Sequence, residues 1–142
     1  MWNYTPESLA IRTRILSAGY LDQMVVPAAA LVDALDNCCD AYEGDSVYVT
    51  LSDKLDTCAP EFIASLLTYG NIAPVVVYIQ DQDWEDYGYF VGDVTLGNGH
   101  HRLAVLAHFD MPVKIMKTTS VHHPYAALPY GTGGVMADSA NL

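Results

Sequence analysis

Apolar residues in this chain fall into short runs separated by polar turns, and the spacing inside each run predicts its structure. Thr5-Pro6-Glu7 reads as a helix start: Thr as N-cap, Pro in the first turn, an acid beside it. Leu9, Ile11, Ile15 and Leu16 give this helix a rough apolar face, and Gly19 stops it. A second helix is expected over residues 27–40, with Leu31, Ala34, Leu35 and Cys38 on one side. The alternative, that VVPAAALV begins as a short strand, stays open, because periodicity does not separate the two. Glu43-Gly44-Asp45 reads as a turn, and the β-branched and aromatic run SVYVTL (46–51) as a strand. Phe62, Ile63, Leu66 and Leu67 then recur at helical spacing over residues 59–69, ending at Gly70, with Thr57 or its successors as cap. APVVVYI (73–79) is the continuous apolar run of a strand covered on both faces. After an acidic, aromatic loop (81–88), YFVGDVTL carries strand character up to Leu96. A helix to about Phe109 and a last strand over 112–118 complete the pattern, and the chain beyond Ser120 looks irregular.

This order predicts a mixed α/β domain with a small mixed sheet flanked by helices. A helical part over 1–45 precedes a core over 46–118 and a tail over 119–142. At 142 residues, 51% of them hydrophobic and 16% charged, the chain is long and apolar enough for one folded core. The longest apolar run, MVVPAAALV, has nine residues and a proline, against about 20 for a membrane span. The first residues, MWNYTPESLA, lack the basic and apolar regions of a secretory signal, so a cytoplasmic protein is expected. Cys38, Cys39 and Cys58 show no CxxC spacing and read as reduced, mostly buried thiols; a structural zinc site is not expected from them.

Charge changes the picture further. Six basic residues against seventeen acidic ones give −11. With Arg12, Arg14, Lys54, Arg102, Lys114 and Lys117 scattered, tight nucleic-acid binding through the phosphate backbone is disfavoured. Acidity of this size keeps a protein soluble, or suits it to a basic partner protein.

The chemistry concentrates in LGNGHHRLAVLAHF (96–109). A strand ending at Leu96, a turn through Gly97, Asn98 and Gly99, and a helix starting near His100 would gather backbone N–H groups and the positive end of a helix dipole. Arg102 would add a bidentate donor for phosphate, while His100 and His101 could donate hydrogen bonds, transfer protons or each ligate a metal. The competing reading is a tight turn in which one histidine caps and the other packs. The box is neither a P-loop nor GxGxxG, since Arg102 stands where the third glycine should be.

Residues 59–117 resemble the ParB/sulfiredoxin-like domain, in particular the small ParB-like nuclease proteins of phages and plasmids. The resemblance rests on PEFIASLLTYG, the strand IAPVVVYI, the box GNGHHR and the strand MPVKIM, in that order. It implies a nucleotide site in which Gly97, Asn98, Gly99, His101 and Arg102 hold the phosphates of ATP, ADP or CTP with Mg²⁺. It also implies phosphoryl transfer, nuclease or NTPase hydrolysis assisted by His100 and His101. An acid would hold the metal or share the chemistry, with Glu61 and Asp93 the candidates beside the loop acids Asp81, Asp83, Glu85 and Asp86. Each of these could equally be a helix-start or surface acid. His100 stands where sulfiredoxins carry their catalytic cysteine, so sulfinic-acid repair is not expected. GHHR replaces the GERR of the CTP-dependent partition proteins, and no basic helix-turn-helix follows, so a DNA clamp is not expected either. Trp84, Tyr87, Tyr89 and Phe90 could stack a base or form an apolar lid, and His122 and His123 could reach the site. The alternative function is an acidic phage-type interaction protein that docks on a host or phage protein and keeps the pocket as a relic or a regulator.

Overall fold

A computed structural model of the chain describes residues 4–42 and 44–119. Glu43, His122, His123 and the tail expected after Thr119 lie outside the described residues. The fold is mixed α/β: helix α1 (Pro6–Ser17), strand β1 (Gln23–Pro27), α2 (Ala28–Ala34), β2 (Asn37–Cys38), α3 (Val47–Asp56), α4 (Pro60–Tyr69), β3 (Val75–Ile79), β4 (Val94–Asn98), α5 (His100–His108) and β5 (Pro112–Thr119). A single 3₁₀ turn, Glu85–Tyr87, interrupts the acidic loop.

The five strands form one sheet in the order β1-β5-β3-β4-β2. β1 pairs with β5 antiparallel, β5 with β3 parallel, β3 with β4 antiparallel and β4 with β2 parallel. Val26, Val113, Ile115, Val75, Val77, Val94 and Leu96 contribute to the core from the strands. α5 supplies Leu103, Ala104, Val105 and Leu106 to that core, and α2, α3 and α4 all pack against α5. At roughly 1.5–3 kcal/mol for each fully buried large aliphatic side chain, this cluster is the main stabilising term.

Three expectations change. Residues 46–51 form no strand but begin α3. The Ser46 side chain caps that helix by accepting the Val49 N–H at 3.2 Å. Val47, Leu51 and Leu55 follow at i, i+4 and i+8, a helical period that outweighs the β-branched content of SVYVTL.

Residues 27–40 are not one helix; the chain runs strand, short helix, strand, as the open alternative allowed. The Asp36 side chain explains the break. It accepts the Val94 N–H at 2.8 Å and pairs with Arg12 at 2.6 Å, while the Asp36 N–H donates to Val94 O at 2.8 Å, drawing the chain alongside β4. The first 45 residues are therefore not only helical: they supply both edge strands of the sheet, β1 and β2.

Finally, Gly97 and Asn98 belong to β4 rather than to a turn. Val77 faces Leu96 while Val76 faces Asn98, so β4 bulges by one residue at Gly97. The helices at 6–17 and 60–69 and the strands at 75–79 and 112–119 agree with the sequence reading. The 60–69 helix, however, has Ala59 as an N-cap without a side-chain bond, and Thr57 instead closes α3.

Candidate functional site

The sheet topology dictates where chemistry can gather. β2 and β4 run parallel and adjacent, with Cys38 opposite Leu96, so both leave the sheet in the same direction. The carboxyl ends of neighbouring parallel strands form the usual ligand crevice of α/β folds. Here Cys39 and Asp40 follow β2, and Gly99 and His100 follow β4.

Gly99 makes the second exit possible. Its φ of +91° lies in the left-handed region, where it forms the N-cap of α5 and places His100 as the first helical residue. The Gly99 N–H donates to Asn98 Oδ1 at 2.8 Å. His100 is fully buried, and both of its ring nitrogens approach Asp40: Nδ1 is 3.5 Å from Oδ2, and Nε2 is 3.4 Å from the Asp40 backbone nitrogen, whose N–H it accepts. The Cys39 thiol donates to Gly97 O, on the bulge, at 2.9 Å. Lys54 of α3 reaches the same carboxylate, with Nζ 3.1 Å from Asp40 Oδ2. Among the described residues, Cys39, Asp40 and His100 form a group that could hold a metal ion, their ligand atoms all within 4.8 Å of one another.

Asp40 also opens onto a cleft of about 470 Å³ between α3 and the amino end of α5. Asp40, Tyr42, Asp45, Thr50, Asp53, Lys54, Thr57 and His101 line it. Three carboxylates against one ammonium make the cleft negative, so an anion would need an accompanying cation there. His101 is held at its wall by Thr57, with Nε2 3.2 Å from Oγ1.

The other residues singled out from sequence go elsewhere. Arg102 does not reach into the cleft. Its side chain is buried, and Nη1 donates to the carbonyls of Ala73 and Pro74, fastening the connection between α4 and β3 to α5. Gly97, Asn98 and Gly99 are buried as well. Asp93 accepts from Asn37 Nδ2 at 2.8 Å and from the Phe90 N–H at 3.0 Å, tying the turn before β4. It lies at the far end of β4, about 13 Å from Gly97, the first residue of the box, at ~3.3 Å per residue. Glu61 is exposed in the first turn of α4 and is not part of the cleft lining. Asp40, Cys39, Asp45, Asp53 and Lys54 were not anticipated. Their one sequence signal was the adjacent Cys-Asp pair just before a Gly turn, placed too far along the chain from the histidines to suggest a cluster.

Cys38 differs from its neighbour. Its side chain is buried against Leu96 and the core, and burial pushes its thiol up to about 11. A raised thiol pKa stabilises the fold fully below the unfolded value of about 8.5, and that contribution is lost as pH rises through the folded value. The thermal midpoint should accordingly fall between about pH 8.5 and 11, and Cys38→Ala should flatten this slope by about one proton. Unchanged slopes in the variant would show that Cys38 does not titrate in this window.

No protein-family model, curated protein or solved structure matches this chain. No helix among the described residues is long and apolar enough to cross a membrane.

Proposed function

We propose that this chain is a ParB/sulfiredoxin-like protein that binds the phosphates of a nucleotide with a divalent cation in the α3–α5 cleft and supports phosphoryl transfer or hydrolysis there. The observation that carries this reading is the cleft itself. Lys54, Thr57 and His101 line one space with Asp40, Asp45 and Asp53, at the amino end of α5. Further support comes from the order helix, Gly70, strand, strand, box, helix, strand over residues 60–119, which follows the pattern behind the resemblance.

The chemistry divides among these side chains. Asp45 and Asp53 would bind the cation that accompanies a nucleotide, offsetting the repulsion between carboxylates and phosphate. Lys54 and the Thr57 hydroxyl would meet phosphate oxygens, and His101, the histidine at the cleft wall, would carry the proton. Arg102 drops out as a phosphate ligand in this reading, because its guanidinium serves the α4–β3 connection.

Titration calorimetry with ATP, ADP and CTP tests it. Binding is expected with Mg²⁺ and not without it, and Asp53→Asn and Lys54→Ala should each weaken it by about tenfold, or ~1.4 kcal/mol. Absence of heat with all three nucleotides in the presence of Mg²⁺ would overturn the proposal.

A second reading has its own observation. Trp84, Phe90 and Val91 are half or more exposed in the loop that also carries Asp81, Asp83, Glu85 and Asp86. Exposed aromatic anchors ringed by acids suit a basic partner protein. On this reading the chain docks on such a partner and the cleft is regulatory. Nucleotide binding with no turnover would favour it.

A further inference from the structure

The geometry points to a transition-metal site of the zinc class at Cys39, Asp40 and His100, separate from any Mg²⁺ that a nucleotide brings. The donor set decides the class of ion. A thiolate, an imidazole and a carboxylate suit Zn²⁺ and its neighbours in the first transition row, whereas Mg²⁺ requires near-octahedral oxygen ligands. The three ligand atoms already lie within 4.8 Å of one another, so a shift of about 1 Å or less brings them to tetrahedral spacing around an ion with ~2.0–2.3 Å bonds.

Preorganisation strengthens the assignment. His100 is fully buried and fixed by the Gly99 turn, and Cys39 and Asp40 are fixed by the pairing of Cys38 with Leu96 on the adjacent parallel strand. Two rigid exits from the sheet thus bring Cys39 and Asp40 to a histidine 60 residues beyond Asp40 in sequence, which is why zinc-finger spacing gave no hint of the group. On binding, the Cys39 thiol gives its proton to solvent and exchanges its hydrogen bond to Gly97 O for the metal.

Two further features define what the site would do. Three protein ligands leave a fourth tetrahedral position for water or a ligand, the arrangement of reactive rather than structural zinc. Asp40 belongs to both the triad and the cleft lining, so the metal site adjoins the cleft. Lys54, 3.1 Å from Asp40 Oδ2, already supplies a positive charge to this carboxylate. An incoming ion competes with Lys54 for Asp40, and removing the ammonium should favour metal.

The test uses the full, reduced chain without added histidines and the metal alone, with no nucleotide. Co²⁺ should bind one ion per chain and give a sulfur-to-cobalt charge-transfer band in the near ultraviolet, displaced by Zn²⁺ and not by millimolar Mg²⁺. Cys39→Ser should abolish the band while Cys58→Ser keeps it. Asp40→Asn and His100→Gln should each weaken Zn²⁺ binding at least tenfold in competition with a chromophoric chelator, and Lys54→Met should tighten it severalfold. A wild-type chain that gives no band, a band that survives Cys39→Ser, or displacement of Co²⁺ by Mg²⁺ would overturn the assignment. Because the wild-type spectrum alone decides the first of these, a variant that fails to fold does not rescue the proposal. Zn²⁺ binding without any nucleotide heat would leave this site standing and defeat only the nucleotide reading.

Discussion

Arg102→Ala is expected to unfold the protein about 10 °C below the wild type while leaving nucleotide affinity within about twofold in the temperature range where it is folded. The side chain is buried, and its Nη1 donates to the carbonyls of Ala73 and Pro74, on the segment that leads from α4 into the central strand β3. Truncation takes away a charge-assisted bond worth ~1.5–3 kcal/mol, leaves a half-buried carbonyl without its donor and opens a space beneath the Gly99 turn. A total of roughly 3 kcal/mol follows, at ~3 °C per kcal/mol for a domain of this size. Arg102→Lys should recover little of it, because an ammonium is more strongly hydrated than a guanidinium and costs more to bury at this site. Thermal and urea unfolding measure the loss. A variant that melts with the wild type but loses nucleotide would return the guanidinium to the cleft as a phosphate ligand.

This prediction reverses the role that the sequence suggested for Arg102, and the reason shows how far a sequence can be read. The elements were legible wherever one local signal dominated. Thr5-Pro6 fixed the start of α1, Gly70 fixed the end of α4, and the unbroken VVVYI of β3 needs both faces covered. The reading failed where a long-range partner decided the outcome. Residues 27–40 break into three elements because the Asp36 carboxylate meets Arg12 and the Val94 N–H, partners 24 and 58 residues away in sequence. SVYVTL becomes a helix because Ser46 caps it and its apolar positions face α5.

The same division holds at the site. His100 and His101 were visible, and so was the exit from β4 into a helix. Their partners were not, because Cys39 and Asp40 reach His100 only through the parallel pairing of β2 with β4, a strand of two residues that no pattern announces. An arginine beside two histidines at a helix start looks like an anion site in sequence. Whether its guanidinium turns outward or inward depends on the carbonyls of Ala73 and Pro74, which belong to a different segment.

Gly99→Ala should be more damaging than the same substitution at Gly19, Gly44, Gly70, Gly88 or Gly92, and it separates strain from crowding. An added Cβ would sit 2.8 Å from Val75 Cγ2 and 3.2 Å from Val75 Cα, with Arg102 Nη2 at 3.1 Å. The left-handed φ of +91° adds roughly 1–2 kcal/mol for any residue with a Cβ, and forcing the methyl into a packed neighbourhood adds about 1–3 more. Gly88, at φ +77° with open space around its Cβ position, provides the control, since Gly88→Ala incurs the strain without the crowding. Urea unfolding should therefore show roughly 1–2 kcal/mol lost in Gly88→Ala and about 2–5 kcal/mol in Gly99→Ala. Adding Val75→Ala should return part of the difference. It relieves the clash with the Val75 side chain and leaves the tight approach to the Val75 backbone, so the two substitutions couple rather than add. The site would report the same displacement. α5 can accept the methyl only by moving off β3, and His100, the next residue, moves with it away from Cys39 and Asp40. Zn²⁺ affinity in Gly99→Ala should then fall at least tenfold while Gly88→Ala retains it. Equal losses of stability in the two alanine variants would show that the Gly99 turn is not held against β3 as tightly as its packing on Val75 requires.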